Sequence, residues 1–282
     1  VANPFETSGG ADAFLGFLEQ EVVPFVEQRY RTAPLRILGG HSFGGLFALH
    51  ALTERPGLFR AYVAASPTLT WDGELPLKRV QALLERRPDL AATVYYTVGD
   101  EGAALADAFR RFGEIVAKGG PRFRATGVHH AGEDHGSIVL DTFHRGFRAL
   151  FEGWRMPVEA GAIGPKGGLA AVEAHYRAIS DRLGIVVAPP ENTLNLAGYQ
   201  ALQDGRPGDA IATLRRCVEI YGTSPNAHDS LGEAYEKKGE LALALASYER
   251  AAELGAKRGD PLTATFRANL ERAKRLVRDA KR

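Results

Sequence analysis

Leu35-Arg36-Ile37-Leu38-Gly39-Gly40-His41-Ser42-Phe43-Gly44-Gly45 is the stretch on which the reading of this chain turns. Its first half, residues 35–39, is a short apolar run of the kind that forms a buried strand. Its second half is a G-x-S-x-G motif, and a helical stretch over 46–53 comes next, ending near Pro56. A serine between glycines at a strand-to-helix turn is the geometry of a nucleophile elbow, where the hydroxyl stands clear at the top of a sheet. The plainer reading is a serine that only caps the helix after it. The strand before Ser42 and the helix after it favour the elbow.

Outward from this stretch, apolar residues recur at helical spacing over 11–29, with Phe14, Phe17, Leu18, Val22, Phe25 and Val26 on one face. Downstream, strands are expected at 61–65, 93–98 and 123–128, alternating with helices at about 77–86, 103–118 and 137–151. Short strands alternating with helices of ten or more residues imply parallel βαβ units. The loops after the four strands carry Ser42, Ser66 to Trp71, Asp100 with Glu101, and a run with His129, His130, Glu133, Asp134 and His135. In an open parallel sheet these are the carboxyl ends of the strands, where ligands bind.

A serine hydroxyl at neutral pH needs a base to take its proton and donors to stabilise an oxyanion. In α/β-hydrolases these come in the order serine, acid, histidine. Ser42, then Asp100 or Glu101, then His135 fit that order, and the residues alone leave the choice of acid open. His135 is the candidate general base, in a loop that enters a helix. The Phe43 N–H is one candidate oxyanion donor. His41, Phe43 and Trp71 are candidates to line a substrate pocket, with ordinary packing as the alternative. Cys217 falls on the buried side of a helix and reads as a small core residue.

The bulk composition is compatible with this reading and excludes other classes. The 282 residues are 45% hydrophobic and 24% charged, with a net charge of +1, so nothing in the balance calls for nucleic acid. No apolar run approaches the roughly 18 residues of a membrane span. With Cys217 the only cysteine, neither an intrachain disulfide nor a cysteine metal site can form. The reading calls for no cofactor and no metal. The chain begins at Val1 and its one methionine is Met156, which carries the expectation that a natural N-terminal segment is missing.

After Trp154 the pattern changes. Residues 155–169 are rich in Gly and Pro and read as a linker, and 185–187, with Pro189-Pro190 just beyond, are the last strand candidate. The rest is helical and repeats. Gly198 and Gly232, Gly205 and Gly239, and Ala210 and Ala244 are each 34 residues apart. A period of about 34 with small residues at fixed points is the tetratricopeptide signature. Leu231, Gly232, Tyr235, Ala244, Tyr248 and Ala251 match that pattern, and the earlier copy has Leu214 where the later has Tyr248. A final basic helix over 262–280 suits a polar cap on such a stack. The expected organisation is 1–154 as an α/β-hydrolase portion, 155–189 as linker and connecting helix, and 190–282 as all-α repeats with a cap.

The chain resembles the esterase family that includes esterase D and the enterochelin (siderophore) esterases. The resemblance rests on Gly40-His41-Ser42-Phe43-Gly44-Gly45-Leu46, Ser66-Pro67 with Trp71-Asp72, Val98-Gly99-Asp100-Glu101-Gly102 and Glu133-Asp134-His135-Gly136-Ser137, over about residues 7–153. It implies hydrolysis of small carboxylic esters, with Ser42 and His135 as nucleophile and base, and Glu101 fits the family's acidic position better than Asp100. It also implies a larger sheet: only about 34 residues precede the elbow strand, so the strands here correspond to the second half. The strand at 35–38 is then expected as an apolar edge, open to another copy or another segment. Two other functions share these features. One is an acyltransferase using the same residues, and the other is a catalytically weak scaffold whose repeats bind a protein partner or self-associate.

Overall fold

The computed structural model describes residues 9–280 and 282. Residues 1–8, including the Val1 start on which the expectation of a preceding segment rests, and Lys281 lie outside the described residues. The chain divides into two compact units, one of residues 1–152 with 182–185 and the other of 153–181 with 186–282.

The first unit is an α/β layer structure. Its first helical stretch comprises α1 (Ala11–Phe17), a π-helical turn (Leu18–Val22) and α2 (Val23–Arg29). The sheet is built from β1 (Ile37–His41), β2 (Ala61–Ala65), β3 (Ala92–Val98) and β4 (Phe123–His129). These four strands are parallel and lie in chain order. Between and after them come α3 (Phe43–Glu54), α4 (Trp71–Arg86), α5 (Ala103–Val116) and α6 (Ile138–Leu150).

β2 is buried at every position, as a parallel strand covered on both faces must be. Its side chains alternate between two cores. Tyr62 and Ala64 join Val94 and Tyr96 in the cluster that takes in Leu49, Leu52, Val80 and Phe112 from α3, α4 and α5. Ala61 and Val63 join Tyr95, Phe143 and Leu150 on the α6 side. The period-2 alternation thus assigns helices to both faces.

Several boundaries differ from expectation, and three of them bear on the site. β1 runs 37–41 rather than 35–39, because its pairing begins at Ile37 opposite Ala61 and ends at His41 opposite Ala65. α3 begins at Phe43 rather than 46, because the backbone breaks at Ser42 (φ 58°, ψ −117°) and turns helical at the next residue. α4 begins at Trp71 rather than 77, interrupted by left-handed backbone at Asp72, Gly73 and Glu74. Among the described residues β1 pairs only with β2, so it is an edge strand as expected.

The second unit holds α7 (Gly168–Leu183, its last two residues counted with the first unit), α8 (Glu191–Gln203), α9 (Pro207–Ile220), α10 (Pro225–Lys238), α11 (Leu241–Arg258) and α12 (Thr263–Asp279). From α8 onward each helix packs on the next. The 34-residue spacing has a packing cause. A Cβ at Gly198 would stand 2.6 Å from Leu214, and one at Gly232 would stand 2.8 Å from Tyr248. Leu214 and Tyr248 are both fully buried, so each copy sets a large side chain into the gap that a glycine leaves on the facing helix. The strand candidate at 185–187 is not a strand. Val186 is 90% exposed, the Val187 N–H donates to Ser180 Oγ at 2.9 Å, and the prolines just beyond have no N–H for a ladder.

Candidate active site

All four reactive loops leave the carboxyl ends of the strands, and the register sets them side by side: His41 lies opposite Ala65, Ala65 opposite Thr97, and Val98 opposite His129. Ser42 comes directly after β1 in the left-handed region, which is costly for a residue with a Cβ and persists only where surroundings impose it. Its N–H donates to Ala65 O at 2.9 Å. The turn is too tight for a side chain at Gly40, where a Cβ would come within 2.1 Å of Gly44 O.

From this turn Ser42 Oγ lies 2.9 Å from His135 Nε2. On the other side of the ring, His135 Nδ1 hydrogen-bonds Glu101 Oε2. The structure therefore brings Ser42, His135 and Glu101 into one continuous hydrogen-bonded line. Glu101 is 8% exposed, whereas the His135 side chain is 49% exposed. Burial opposes ionisation of Glu101, but hydrogen bonds from Ser66, the Gly99 N–H and His135 outweigh it and hold the carboxyl below its ordinary range.

The loop that carries His135 is fixed by its own sequence. Asp134 Oδ1 accepts from the N–H groups of Gly136 and Ser137, each at 2.8 Å, and the Asp134 N–H donates to Ser137 Oγ at 2.9 Å. These bonds tie His135 to the start of α6 and hold the Asp134 carboxyl below its ordinary range.

Asp100 does not reach His135. It pairs with His129 Nε2 at 2.8 Å and accepts from the Gly132 N–H at 2.8 Å. His130 is buried and pairs through Nδ1 with Asp141 at 2.8 Å. The three histidines of this loop thus face three different carboxylates.

His41, expected to line a pocket, engages the site itself: its Nε2 donates to the His135 backbone carbonyl at 2.6 Å, and the two rings lie 4.6 Å apart. Phe43 and Trp71 meet edge to face at 5.3 Å and together wall a cavity of about 480 Å³ that also takes in Leu46, Phe47 and His50. Phe43 is the first residue of α3, directly after Ser42. Cys217 is buried.

From the sequence alone Ser66 figures only as part of a loop and a motif, with no role of its own. Its Oγ is 2.6 Å from each Glu101 oxygen and 3.1 Å from His135 Nδ1. The available signal was a hydroxyl ending the apolar strand 61–65, at the same level as Ser42 and Glu101. Among the described residues no cluster of His, Cys, Asp or Glu is arranged to hold a metal ion, and no helix is long and apolar enough to cross a membrane.

Residues 2–117 match the family described as "Putative esterase". The chain is 32% identical over 174 residues to a siderophore triacetylfusarinine C esterase of Aspergillus fumigatus, covering 52% of this chain and 60% of that protein. It is 50% identical over 74 residues to a siderophore enterobactin esterase of Emericella nidulans, covering 24% of this chain and 23% of that protein. The chain therefore spans less than two thirds of these relatives. An IroE-like serine hydrolase from Shewanella oneidensis has a similar fold, with TM-score 0.62 and 21% identity over 75% of this chain and 68% of its own. The Shewanella oneidensis structure supports an α/β fold for this chain.

Proposed function

We propose that this chain hydrolyses small carboxylic esters through Ser42 as nucleophile, His135 as general base and Glu101 as the acid that orients His135. The observation that carries this reading is the unbroken line from Ser42 Oγ through both nitrogens of His135 to a buried carboxylate. As Ser42 Oγ attacks the ester carbonyl, His135 Nε2 takes its proton. The same nitrogen then returns the proton to the departing alcohol. Water repeats the cycle on the acyl-enzyme, and the acid product leaves. Glu101 keeps the Nδ1–H tautomer and stabilises the imidazolium without itself being protonated. The Phe43 N–H donates to the developing oxyanion.

Phe43 and Trp71, at the wall of the adjoining cavity, are read as the apolar contact for the substrate. The names of the relatives support siderophore esters as the class to test first. The helices from α8 onward are read as two tetratricopeptide-like repeats, α8 with α9 and α10 with α11, capped by α12. The matched glycine and large-residue pairs support that reading.

The experiment is turnover of a short-chain nitrophenyl ester, together with labelling by a fluorophosphonate probe. Both are expected in the natural chain and both are expected to vanish in Ser42→Ala. Turnover that survives in Ser42→Ala, or a folded protein that neither turns over the ester nor takes the label, refutes the assignment.

A further inference from the structure

Ser66 stands at the carboxyl end of β2 in a backbone conformation that side chains rarely adopt, with φ of 41°. Such strain persists when neighbouring structure over-determines it, and it gathers at sites where a side chain must be aimed. Here the neighbours are clear. The Ser66 N–H donates to Thr97 O at 3.1 Å, which ties the residue to β3. Pro67 comes next and packs against α3, where a Cβ at Gly45 would stand 3.0 Å from Pro67 Cα. Ser66 itself is fully buried.

The outcome is a hydroxyl lodged inside the acid and base pair. Oγ is equidistant from the two Glu101 oxygens, at 2.6 Å, and 3.1 Å from His135 Nδ1. A hydroxyl has one proton to donate and lone pairs to accept with. It can give its proton to the Glu101 carboxylate and accept, more weakly, from the His135 Nδ1–H. The Gly99 N–H supplies a further donor to Glu101 Oε1 at 2.9 Å. Glutamate has one more rotatable bond than aspartate, so its carboxylate needs more than one partner to stay in a single orientation.

We propose that Ser66 is a positioning residue of the site: its hydroxyl clamps the Glu101 carboxylate in the orientation that accepts the His135 Nδ1–H. This rests on the ester-hydrolase reading for its consequence in turnover, though not for the hydrogen bonds themselves. The clamp acts on the transition state. When His135 takes the Ser42 proton its ring becomes cationic, and the Nδ1–H bond to a fixed carboxylate strengthens. A carboxylate free to rotate would have to be re-ordered at that moment. Binding of the ester does not involve this bond, so its loss belongs in kcat rather than in KM.

Two variants separate the hydroxyl from the backbone. Ser66→Gly removes the hydroxyl and suits a positive φ, so the fold is retained. Ser66→Ala removes the same hydroxyl and keeps the Cβ. Both are expected to lower kcat for a short-chain nitrophenyl ester by roughly tenfold, the scale of one charge-assisted hydrogen bond partly lost, with KM within about twofold. The second readout needs no turnover: the low-field proton resonance of the His135 Nδ1–H, assigned by its absence in His135→Ala, is expected to move upfield or broaden in Ser66→Gly. An unmoved resonance in Ser66→Gly overturns the clamp, whatever happens to kcat. Wild-type kcat in both variants overturns it as well. If the natural chain turns over no ester and takes no label at Ser42, the ester-hydrolase reading fails, while the resonance still tests the clamp.

Discussion

Two carboxylates one residue apart, Asp100 and Glu101, each pair with a histidine from the same loop, and the two pairs differ in nearly everything else. Asp100 with His129 lies in solvent, the side chains 56% and 51% exposed. Glu101 is 8% exposed and is held by a strand-end hydroxyl, a backbone N–H and His135. The cause is a tight turn at the end of β3. The Asp100 N–H donates to Glu133 O at 2.7 Å, and the Glu101 N–H donates back to Gly99 O at 3.0 Å, so successive side chains point to opposite sides. The contrast separates a pair that meets only its own partner from one that joins a third residue. A histidine and a carboxylate in contact are common; a histidine whose second nitrogen reaches a serine on a strained turn is not. Among the hydrogen bonds of the described residues, none joins His129 to a hydroxyl, whereas His135 Nε2 reaches Ser42 Oγ at 2.9 Å.

The largest expected effect tests that contrast on the histidines. His135→Ala is expected to lower kcat for a nitrophenyl ester by about ten-thousandfold, and His129→Ala to leave it within about twofold. Comparable losses in the two would erase the distinction. The carboxylates come next. Glu101→Gln keeps the shape of the side chain and removes the charge that stabilises the imidazolium. It is expected to cost about a hundredfold to ten-thousandfold in kcat, against less than about twofold for Asp100→Asn. Steady-state kinetics on the purified variants decides both. A large loss in Asp100→Asn would return Asp100 to the site.

Much of this was legible in the sequence, and the reasons are specific. β2 is placed to the residue because 61–65 is a short apolar run that must be covered on both faces. Ser42 and His135 are visible because a motif and a chain order point to them. The residues alone leave Asp100 and Glu101 open and only the resemblance favours Glu101, because the difference between them lies in partners far along the chain, such as the bond from the Asp100 N–H to Glu133 O. Ser66 escapes for the same kind of reason: a serine ending a strand is ordinary until its neighbours in space are known. His41 reads as a pocket residue because a ring beside a nucleophile suggests contact with substrate. Its bond to the His135 carbonyl spans two loops and leaves no local trace. The Ile185 to Val187 stretch fails in the opposite direction, since an apolar run is a strand only if another strand lies beside it.

The smaller effects concern stability. Both carboxyls are held below their ordinary range, Asp100 by the Gly132 N–H and His129, and Glu101 by hydrogen bonds that outweigh its burial. Linkage sets the sign. A carboxyl that is more acidic in the folded chain than in the unfolded one favours folding above its unfolded range, and that contribution is lost as the pH falls through its folded range. The two sites differ in how much can be lost. Glu101 gathers its donors out of solvent, so the melting temperature is expected to fall on acidification below about pH 5, and Glu101→Gln is expected to flatten that fall. An equally steep acid dependence in Glu101→Gln would show that Glu101 is not its source. Asp100 is open to water and salt, which weaken an exposed pair whatever its geometry. Asp100→Asn is therefore expected to shift the melting temperature at neutral pH by no more than about 2 °C, with still less difference from the natural chain in about 1 M salt. A larger shift that persisted in salt would mean that the Asp100 bond to Gly132, rather than its pairing with His129, holds the loop in place. That loop also carries His135, so the same variant would then lose turnover as well.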